Sequence, residues 1–293
     1  MTNNRRQLIY IACLGHSGST LLGLILGAHS SIVYGGEFKK FNNYILQDYV
    51  RKDDGICTCG SFSNDCTYWR AVRGRLEVAI EDRPIDLTTH RPKHRKTKRC
   101  PVCQQSQTAC NTRFEHNNVA LIDAMRHAAN KEIVCDSSRS LSRCMALLNC
   151  PQLDVTVVHL VRDGRAVAYS KKLKGDDYFH RLQKWGKNNI AYGNLMKLAN
   201  DHYLQIRYEE LADDPRRTVA KVLDHVGLTF EEQQLAFGAY PHHTLGGNRL
   251  RLRGAEPIQK DTRYMKNISL YEWWVGSLMA WRHLKTFGYR MRR

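Results

Sequence analysis

Residues 8–20 decide the fold, and they read Leu-Ile-Tyr-Ile-Ala-Cys-Leu-Gly-His-Ser-Gly-Ser-Thr. The first part of this stretch is a continuous apolar run closed by Gly15, which is typical of a strand buried on both faces of a parallel sheet. A short polar turn follows, and apolar side chains then recur at helical spacing, at Leu21, Leu22, Ile25, Leu26 and Ala28. Strand, tight turn and helix together form half of a βαβ unit.

The same alternation of strand and helix returns after residue 130. Strands are predicted at Glu132–Cys135, Val155–Val161 and Tyr203–Arg207, and helices at Leu141–Leu148, Ala166–Lys172 and Thr218–Val226. The last helix has start and stop signals, because Asp214 can cap it, Pro215 suits its first turn and Gly227 can end it. The pattern predicts an α/β fold, a three-layer parallel sheet flanked by helices, as a single domain over residues 1–293.

Residues 51–118 do not continue the alternation of strands and helices, and we interpret them as a Cys-rich, basic insertion within that domain. The segment contains two cysteine clusters, Cys57-x-Cys59-x6-Cys66 and Cys100-x2-Cys103-x6-Cys110, separated by the basic run Arg83–Arg99. The other four cysteines are scattered through strand and helix patterns and are predicted to be small core side chains: Cys13, Cys135, Cys144 and Cys150.

The clustered cysteines admit three interpretations. In a reducing cytosol, thiols two or three positions apart suit a structural zinc ion, and the simplest set of four thiolate ligands is Cys57, Cys59, Cys100 and Cys103. Four other side chains of the segment can substitute for members of that set: Cys66, Cys110, His90 and His94. Disulfides require an oxidising compartment. Free thiols are the third alternative.

Composition and charge narrow the class of protein. With 42% hydrophobic and 25% charged residues in 293, the chain is not collagen-like, coiled-coil or wholly disordered. Its 45 Lys and Arg against 28 Asp and Glu give a formal net charge of +17, which attracts an anionic partner such as nucleic acid, a lipid head group, a phosphorylated nucleotide or a sulfated glycan. The longest apolar run, Leu21–Leu26, is far shorter than the roughly 20 residues of a membrane span. No transmembrane segment is therefore expected. The first apolar stretch is broken by Gly15, His16 and Ser17, so we interpret it as a strand and not as a signal peptide, and expect a cytoplasmic protein. Its oligomeric state is left open.

Two segments have the residue types of anion-binding sites. In residues 15–20, which link a buried strand to a helix, free backbone N–H groups and the helix dipole converge on a point suited to a phosphate. In residues 160–170, a strand delivers Arg162 to its carboxyl end, and Ser170 follows about two helical turns later. A merely tight turn and a salt-bridged Arg-Asp-Gly-Arg loop are the respective alternatives.

Together these segments make the chain resemble the sulfotransferase family whose donor is 3′-phosphoadenosine 5′-phosphosulfate (PAPS). Residues 15–20, followed by Leu21-Leu22, look like its 5′-phosphosulfate loop, and residues 160–170 look like its 3′-phosphate motif. Residues 208–215 also resemble its Tyr-Glu-x-Leu-x-x-x-Pro element. The resemblance is closest to bacterial sulfotransferases and the tyrosylprotein branch. It implies a P-loop NTPase-like sulfotransferase fold and PAPS as co-substrate, with adenosine 3′,5′-bisphosphate as product.

The resemblance also implies roles for individual residues. The phosphosulfate end of the donor would be held by His16, Ser17, Gly18, Ser19 and Thr20. Arg162 and Ser170 would hold the 3′-phosphate, and Tyr208 would lie near that phosphate or the adenine. A late loop resembles the segment that closes over the nucleotide, and its binding residues would be Asn248, Arg251 and Arg253.

Sulfuryl transfer needs a base for the acceptor's proton and cations to neutralise the charge on the sulfuryl and bridging oxygens. Glu37 follows two glycines at the place where the tyrosylprotein branch has its catalytic glutamate, and it is the predicted general base; a surface carboxylate is the alternative. His16 stands where the family usually has Arg or Lys, and would act as an imidazolium or as the base itself. Arg139 would supply the missing cation or pair with Asp136.

The leading hypothesis is an enzyme that moves the sulfuryl group of PAPS to a hydroxyl, or an amine, of a carbohydrate or another polar small molecule. A P-loop kinase is disfavoured, because the 15–20 turn lacks Gly-Lys and no acid is placed for Mg²⁺. A nucleic-acid-binding protein with a zinc-ribbon-like segment would leave residues 15–20, Arg162 and Glu37 unexplained together, so no nucleic-acid partner is expected. The identity of the acceptor is left open.

Overall fold

The computed structural model describes residues 5–42, 44, 55–80, 87, 107–252 and 258–293, with the backbone alone for residues 107–111. Within this described part, five strands form one parallel sheet in the order β2-β3-β1-β4-β5. In chain order the strands are β1 (Arg6–Cys13), β2 (Ile32–Gly36), β3 (Ile133–Asp136), β4 (Leu153–Val161) and β5 (Tyr203–Arg207).

Helices lie against both faces of the sheet. In chain order they are α1 (Ser19–Gly27), α2 (Thr67–Ala79), α3 (Gln107–Ala129), α4 (Leu141–Leu148), α5 (Gly164–Lys172), α6 (Tyr178–Gly193), α7 (Met196–Ala199), α8 (Tyr208–Asp213), α9 (Pro215–Asp224), α10 (Arg263–Asn267), α11 (Leu270–Met279) and α12 (Trp281–Thr286). Short 3-10 turns occur at Phe38–Lys40, Asn200–His202, Glu232–Ala239 and Arg249–Leu252. Among the residues described, no helix is both long and apolar enough to cross a bilayer.

The central strand β1 shows why an unbroken apolar run produces this architecture. Alternate side chains of the strand enter two separate cores, one containing Leu8, Tyr10 and Ala12 and the other containing Ile9, Ile11 and Cys13. β1 pairs with β4 from Arg6 opposite Leu153 to Cys13 opposite Leu160. Because each face of a parallel sheet must be covered, helices form the outer layers, and the predicted three-layer α/β fold is confirmed.

The predicted elements agree with the structure to within three residues. β5 and α4 have the predicted bounds, and β3, β4 and α5 differ by one or two residues at an end. α9 begins earlier than predicted because Asp214 caps it by accepting a hydrogen bond from the Arg217 N–H at 3.0 Å, with Pro215 in the first turn. The four scattered cysteines are buried as predicted, each at most 1% exposed. β2 was not predicted, since its five residues end in two glycines.

The described part of residues 51–118 packs on the sheet and not on a separate core. Trp69, Val72 and Leu76 of α2 join the cluster that covers one face of β1. Most of the basic run lies outside the described residues, as do Cys100, Cys103, His90 and His94. The backbone of Cys110 lies in α3.

Candidate active site

The carboxyl ends of the strands carry the residues singled out by the sequence. Residues 15–20 follow β1, Glu37 follows β2, Arg139 lies beyond β3, Arg162 follows β4 and Tyr208 follows β5. Since the strands are parallel, all these positions lie at one edge of the sheet, and the strand order places the β1 loop between the other four. β1 has β3 on one side and β4 on the other, so the strand order reverses at β1. In open α/β sheets, ligands bind in the crevice at such a reversal of strand order.

The β1–α1 loop, residues 15–20, has the backbone of an anion-binding turn. His16 and Gly18 both have positive φ, 70° and 92°, and α1 begins directly after Gly18. A side chain could not replace the glycine, because a Cβ at position 18 would lie 2.6 Å from Cδ2 of Tyr208. The first N–H groups of a helix have no acceptor within the helix, so they remain available to an anion at this edge.

Arg162 joins this loop to Tyr208. Its Nη1 donates to the His16 carbonyl oxygen at 2.9 Å, and its guanidinium lies over the Tyr208 ring, 4.5 Å from the centroid. Its Nη2 forms an ion pair with Asp261 at 3.1 Å, while its Nε has no hydrogen-bond partner among the described residues. The predicted 3′-phosphate residue is therefore placed at the loop and already engages an anion.

Asp261 was not singled out by the sequence, yet it completes this cluster. Its backbone N–H donates to the Tyr208 hydroxyl at 3.2 Å. The guanidiniums of Arg263 and Arg162 hold the pKa of the Asp261 carboxyl well below its usual range. The carboxylate is therefore charged at neutral pH and would compete with any phosphate that approaches Arg162.

Of the two other predicted binding residues, Ser170 bonds within its own helix, and Asn248 contacts the β1–α1 loop. Ser170 lies on α5, where its hydroxyl donates to the Ala166 carbonyl at 3.0 Å. The Asn248 N–H donates to Oγ1 of Thr20 at 3.2 Å, which brings the predicted late loop against the β1–α1 loop.

Arg251 is a buried arginine that contacts the backbone. Its side chain is 6% exposed, and its guanidinium donates to the carbonyl oxygens of Ile56 and Thr244. In this arrangement it ties two backbone segments together. Arg253, the other arginine predicted in this loop, lies outside the described residues.

Glu37 is buried, so the alternative of a surface carboxylate is wrong. Its side chain is 3% exposed, and Oε1 accepts a hydrogen bond from the Arg139 guanidinium. Oε2 has no hydrogen-bond partner among the described residues, although Nζ of Lys40 lies 3.8 Å away and Nζ of Lys39 lies 4.0 Å away. The two lysines were not predicted as site residues, but their position within three residues of Glu37 in the sequence was an available signal.

Arg139 lies between Glu37 and the β1–α1 loop. Its Nη1 is so near Gly15 that a Cβ there would be 3.0 Å from it. The alternative pairing of Arg139 with Asp136 does not occur, because the Asp136 carboxylate accepts from Nε of Arg143 at 2.8 Å in a buried ion pair. Arg139 itself has a φ of 51°, and its turn is anchored by that pair.

His16 is neutral in this electrostatic setting. Burial, together with the positive charges of Lys174, Lys171, Arg139 and Arg162, lowers the pKa of His16 to about 4. An imidazolium at neutral pH therefore requires a bound anion that offsets these effects. Because four cations surround this side chain, part of the net positive charge of the protein is concentrated at the β1–α1 loop.

A cleft of about 1130 Å³ between α2 and α3 lies away from this edge. Its lining includes Pro151 and Gln152, which directly precede β4 and so lie toward the amino ends of the strands. The cleft is therefore not part of the candidate site.

Of the predicted four-cysteine set, Cys57 and Cys59 lie in the described part of the chain, and Cys100 and Cys103 lie outside it. Cys57 and Cys59 gather with Cys66, one of the predicted substitutes, and with His243. His243 was missed, since it lies 177 positions beyond Cys66 in the chain and stands in no metal-binding spacing.

The fold and this edge define an α/β protein with a turn of the anion-binding type at a helix start and a buried carboxylate beside it. The sequence profile described as "Sulfotransferase family" matches residues 8–232, so the chain belongs to the sulfotransferase family. The resemblance carried by the two anion-binding segments is thereby confirmed.

Two solved structures show how far the likeness in fold extends. The sulfotransferase domain from the olefin synthase of Synechococcus PCC 7002 has a TM-score of 0.62 at 20% identity, covering 98% of this chain and 96% of that one. The sulfotransferase domain from the curacin biosynthetic pathway has a TM-score of 0.58 at 18% identity, covering 98% of this chain and 99% of that one. The predicted P-loop NTPase-like sulfotransferase fold is therefore confirmed over nearly the whole chain.

Proposed function

We propose that the protein transfers the sulfuryl group of PAPS to a hydroxyl, or an amine, of a carbohydrate or another polar small molecule. The observation that carries this proposal is the arrangement of the sheet edge: an anion-binding loop with Arg139 and Glu37 on one side and Arg162 and Tyr208 on the other. PAPS has anionic groups at two positions, a phosphosulfate at the 5′ oxygen and a phosphate at the 3′ oxygen. Two cationic clusters beside one helix start suit such a ligand.

The 3′-phosphate would take the place of Asp261 at Arg162. The guanidinium is already oriented by the His16 carbonyl and the Tyr208 ring, so it would lose little freedom on binding. Its Nε, without a partner among the described residues, is a donor that a phosphate could satisfy. Since the Tyr208 ring already contacts Arg162 and Gly18, we assign it a positioning role beside the phosphate.

In the transfer step, the acceptor oxygen attacks sulfur while the bond from sulfur to the bridging phosphate oxygen breaks. The acceptor's proton would pass to Oε2 of Glu37, and adenosine 3′,5′-bisphosphate would leave with the bonding electron pair on its oxygen. Arg139 and the N–H groups at the start of α1 would offset the charge that develops on the sulfuryl and leaving oxygens. The products are the sulfated acceptor, the bisphosphate and one proton.

Glu37 needs a change of partners before it can take that proton. Its side chain is 3% exposed, and three cations surround it: Arg139, Lys39 and Lys40. The sulfuryl group would offer these cations a second anion and so draw them away from the carboxylate. Donor binding would thereby free Oε2 and open it to the acceptor.

His16 is the alternative base and the alternative cation of the step. With its pKa lowered to about 4 by burial and nearby cations, the imidazole is neutral at pH 7 and can accept a proton. A bound phosphosulfate would raise that pKa, because negative charge favours the imidazolium. We assign the base to Glu37 and the stabilisation of the leaving oxygen to His16.

The rival functions explain less of the same edge. A kinase of the P-loop class would need the Lys of Gly-Lys in residues 15–20, which is absent from that loop. Nucleic-acid binding would use the positive charge but gives no role to a buried carboxylate. We also propose that the protein is cytoplasmic, as the sequence led us to expect.

The proposal is tested by incubating the protein with PAPS and a panel of hydroxyl and amine acceptors drawn from carbohydrates and polar metabolites. Formation of adenosine 3′,5′-bisphosphate and the mass of the acceptor are followed together. We expect bisphosphate release that depends on one class of acceptor, which gains a sulfuryl group. Transfer of phosphate from ATP to the same panel, with PAPS inert, would contradict the proposal.

A further inference from the structure

We infer that Cys57, Cys59, Cys66 and His243 form a structural zinc site with three thiolate ligands and one imidazole ligand. One ligand atom from each residue lies within 4.8 Å of all the others. The Cys66 sulfur lies 3.6 Å from that of Cys59 and 3.7 Å from that of Cys57. Nδ1 of His243 lies 3.3 Å from the Cys66 sulfur and 3.7 Å from the Cys57 sulfur.

These distances are those of the edges of a tetrahedron around zinc. With Zn–S bonds of about 2.3 Å and Zn–N bonds of about 2.0–2.1 Å, tetrahedral angles place two sulfurs about 3.8 Å apart and a sulfur and a nitrogen about 3.6 Å apart. The four observed separations, from 3.3 to 3.7 Å, match these values within about 0.3 Å. Three thiols and one imidazole are also the ligand types that zinc prefers over harder cations.

The local backbone presents the sulfurs to one point. Cys57 and Cys59 are the first and third residues of a tight turn, closed by a 2.9 Å hydrogen bond from the Gly60 N–H to the Cys57 carbonyl. Cys66 stands at the N-cap of α2. The next residue but one, Tyr68, stacks on the His243 ring with centroids 4.9 Å apart, which orients Nδ1 toward the sulfurs. With four protein ligands, the tetrahedron is complete, as in structural zinc sites.

The site would fasten residues 55–66 to a segment that reaches the proposed active site. Thr58 Oγ1 accepts from the Thr244 N–H at 2.9 Å, next to His243. The following residue, Leu245, donates to the Gly35 carbonyl at 3.0 Å and accepts from the Glu37 N–H at 3.4 Å. The zinc would thus hold the backbone against which Glu37 is positioned, without itself touching the reactants.

Metal analysis of the purified full chain by mass spectrometry tests the site, and its result does not depend on the proposed function. We expect about one equivalent of zinc in the wild type, as structural sites bind one ion tightly. Cys66→Ser and His243→Ala should lose most of it, whereas Cys150→Ser, which changes a buried cysteine outside the cluster, should retain it. The double variant Cys100→Ser/Cys103→Ser should also retain zinc, and its loss there with retention in His243→Ala would overturn this ligand set.

A second measurement on the wild type covers ligand variants that fail to fold. Zinc is exchanged for cobalt(II), whose visible spectrum reports geometry and thiolate ligands. Strong absorption of a tetrahedral ion with thiolate-to-cobalt charge transfer is the expected result. A weak octahedral spectrum, or less than a tenth of an equivalent of metal in the wild type, would overturn the inference. Sulfuryl transfer is read out separately, so either proposal can fail alone.

Discussion

The two halves of the sheet edge hold their arginines in different ways. On the side of β4 and β5, Arg162 pairs with Asp261, whose side chain is 25% exposed. On the side of β2 and β3, Arg139 pairs with Glu37, whose side chain is 3% exposed and whose backbone N–H is held by Leu245. Under the proposed function, an incoming phosphate would displace the partly exposed Asp261 without disturbing the core, whereas the buried Glu37 would stay in place when its partner leaves.

Under the proposed function, this difference assigns nucleotide binding to the half of the edge with Arg162 and the transfer step to the half with Glu37. A partly exposed ion pair contributes about 0–1 kcal/mol, so exchanging Asp261 for a phosphate costs little. The buried carboxylate of Glu37 is surrounded by cations, so under the proposed function it would become reactive only when the donor competes for them. The proposed nucleotide half would then exchange anions, and the proposed transfer half would keep its carboxylate.

The largest expected effect is on turnover in Glu37→Gln. Loss of the general base should lower kcat by about 10²–10⁴-fold, while the affinity for adenosine 3′,5′-bisphosphate stays within about twofold of wild type. Steady-state kinetics and calorimetry on the same preparation measure the two quantities. Glu132→Gln, an exposed carboxylate remote in the sequence from the site, is the matched control. An unchanged kcat would remove Glu37 as the base and leave His16 as the candidate.

Arg162→Ala should weaken binding of the bisphosphate by about 1.5–3 kcal/mol, because a charged hydrogen bond to the 3′-phosphate is lost. Adenosine 5′-phosphate, which lacks that group, should lose far less affinity. Isothermal calorimetry gives both values, with Arg282→Ala as a control at an exposed arginine. Equal losses for the two nucleotides would place Arg162 at the 5′ end and undo the proposed division of the edge.

Asp261→Asn should act in the opposite direction. Removing the carboxylate that competes for Arg162 should tighten bisphosphate binding by about two- to fivefold, in line with a partly exposed ion pair. The same titration measures it. Weaker binding would mean that Asp261 contributes to the ligand site, and that the two halves of the edge do not differ as described.

The smallest expected effect is the uptake of a fraction of a proton by His16 when the nucleotide binds. At pH 5.5 the imidazole of the free protein is mostly neutral, since burial and nearby cations lower its pKa to about 4. The bound anion should raise that pKa, so His16 should take up a fraction of a proton on bisphosphate binding, while the phosphates, whose second pKa is about 6, release protons on meeting the arginines. Calorimetry in two buffers with different heats of ionisation measures the net exchange, which should shift toward release in His16→Gln. The same net exchange in the wild type and in His16→Gln would contradict the role of His16 beside the anion.

The sequence predicted most of this edge because the relevant signals are local. A buried run followed by a polar turn marks the carboxyl end of a strand, and parallel strands bring those ends to one edge. Residues 15–20, Arg139 and Arg162 were found in this way, because they follow predicted strands, whereas Glu37 and Tyr208 were singled out by the resemblance to the sulfotransferase family. Lys39 and Lys40 could have been added because they lie close to Glu37 in the sequence.

The partners of these residues could not be predicted, since they come from loops far away in the chain. Asp261 lies 99 positions from Arg162, and His243 lies 177 positions from Cys66. Which loops meet depends on how the layers pack, and periodicity carries no information about it. The same limit explains why Arg139 was considered for Asp136, its near neighbour, when it pairs with Glu37.

Calorimetric titration of the wild-type protein with adenosine 3′,5′-bisphosphate, beside adenosine 5′-phosphate and ATP at two salt concentrations, tests the donor assignment most directly. We predict tight binding of the bisphosphate that exceeds that of both other nucleotides and persists at the higher salt concentration. No binding, or equal weak binding of all three that fades with salt, would show that the edge attracts anions by charge alone and does not recognise PAPS.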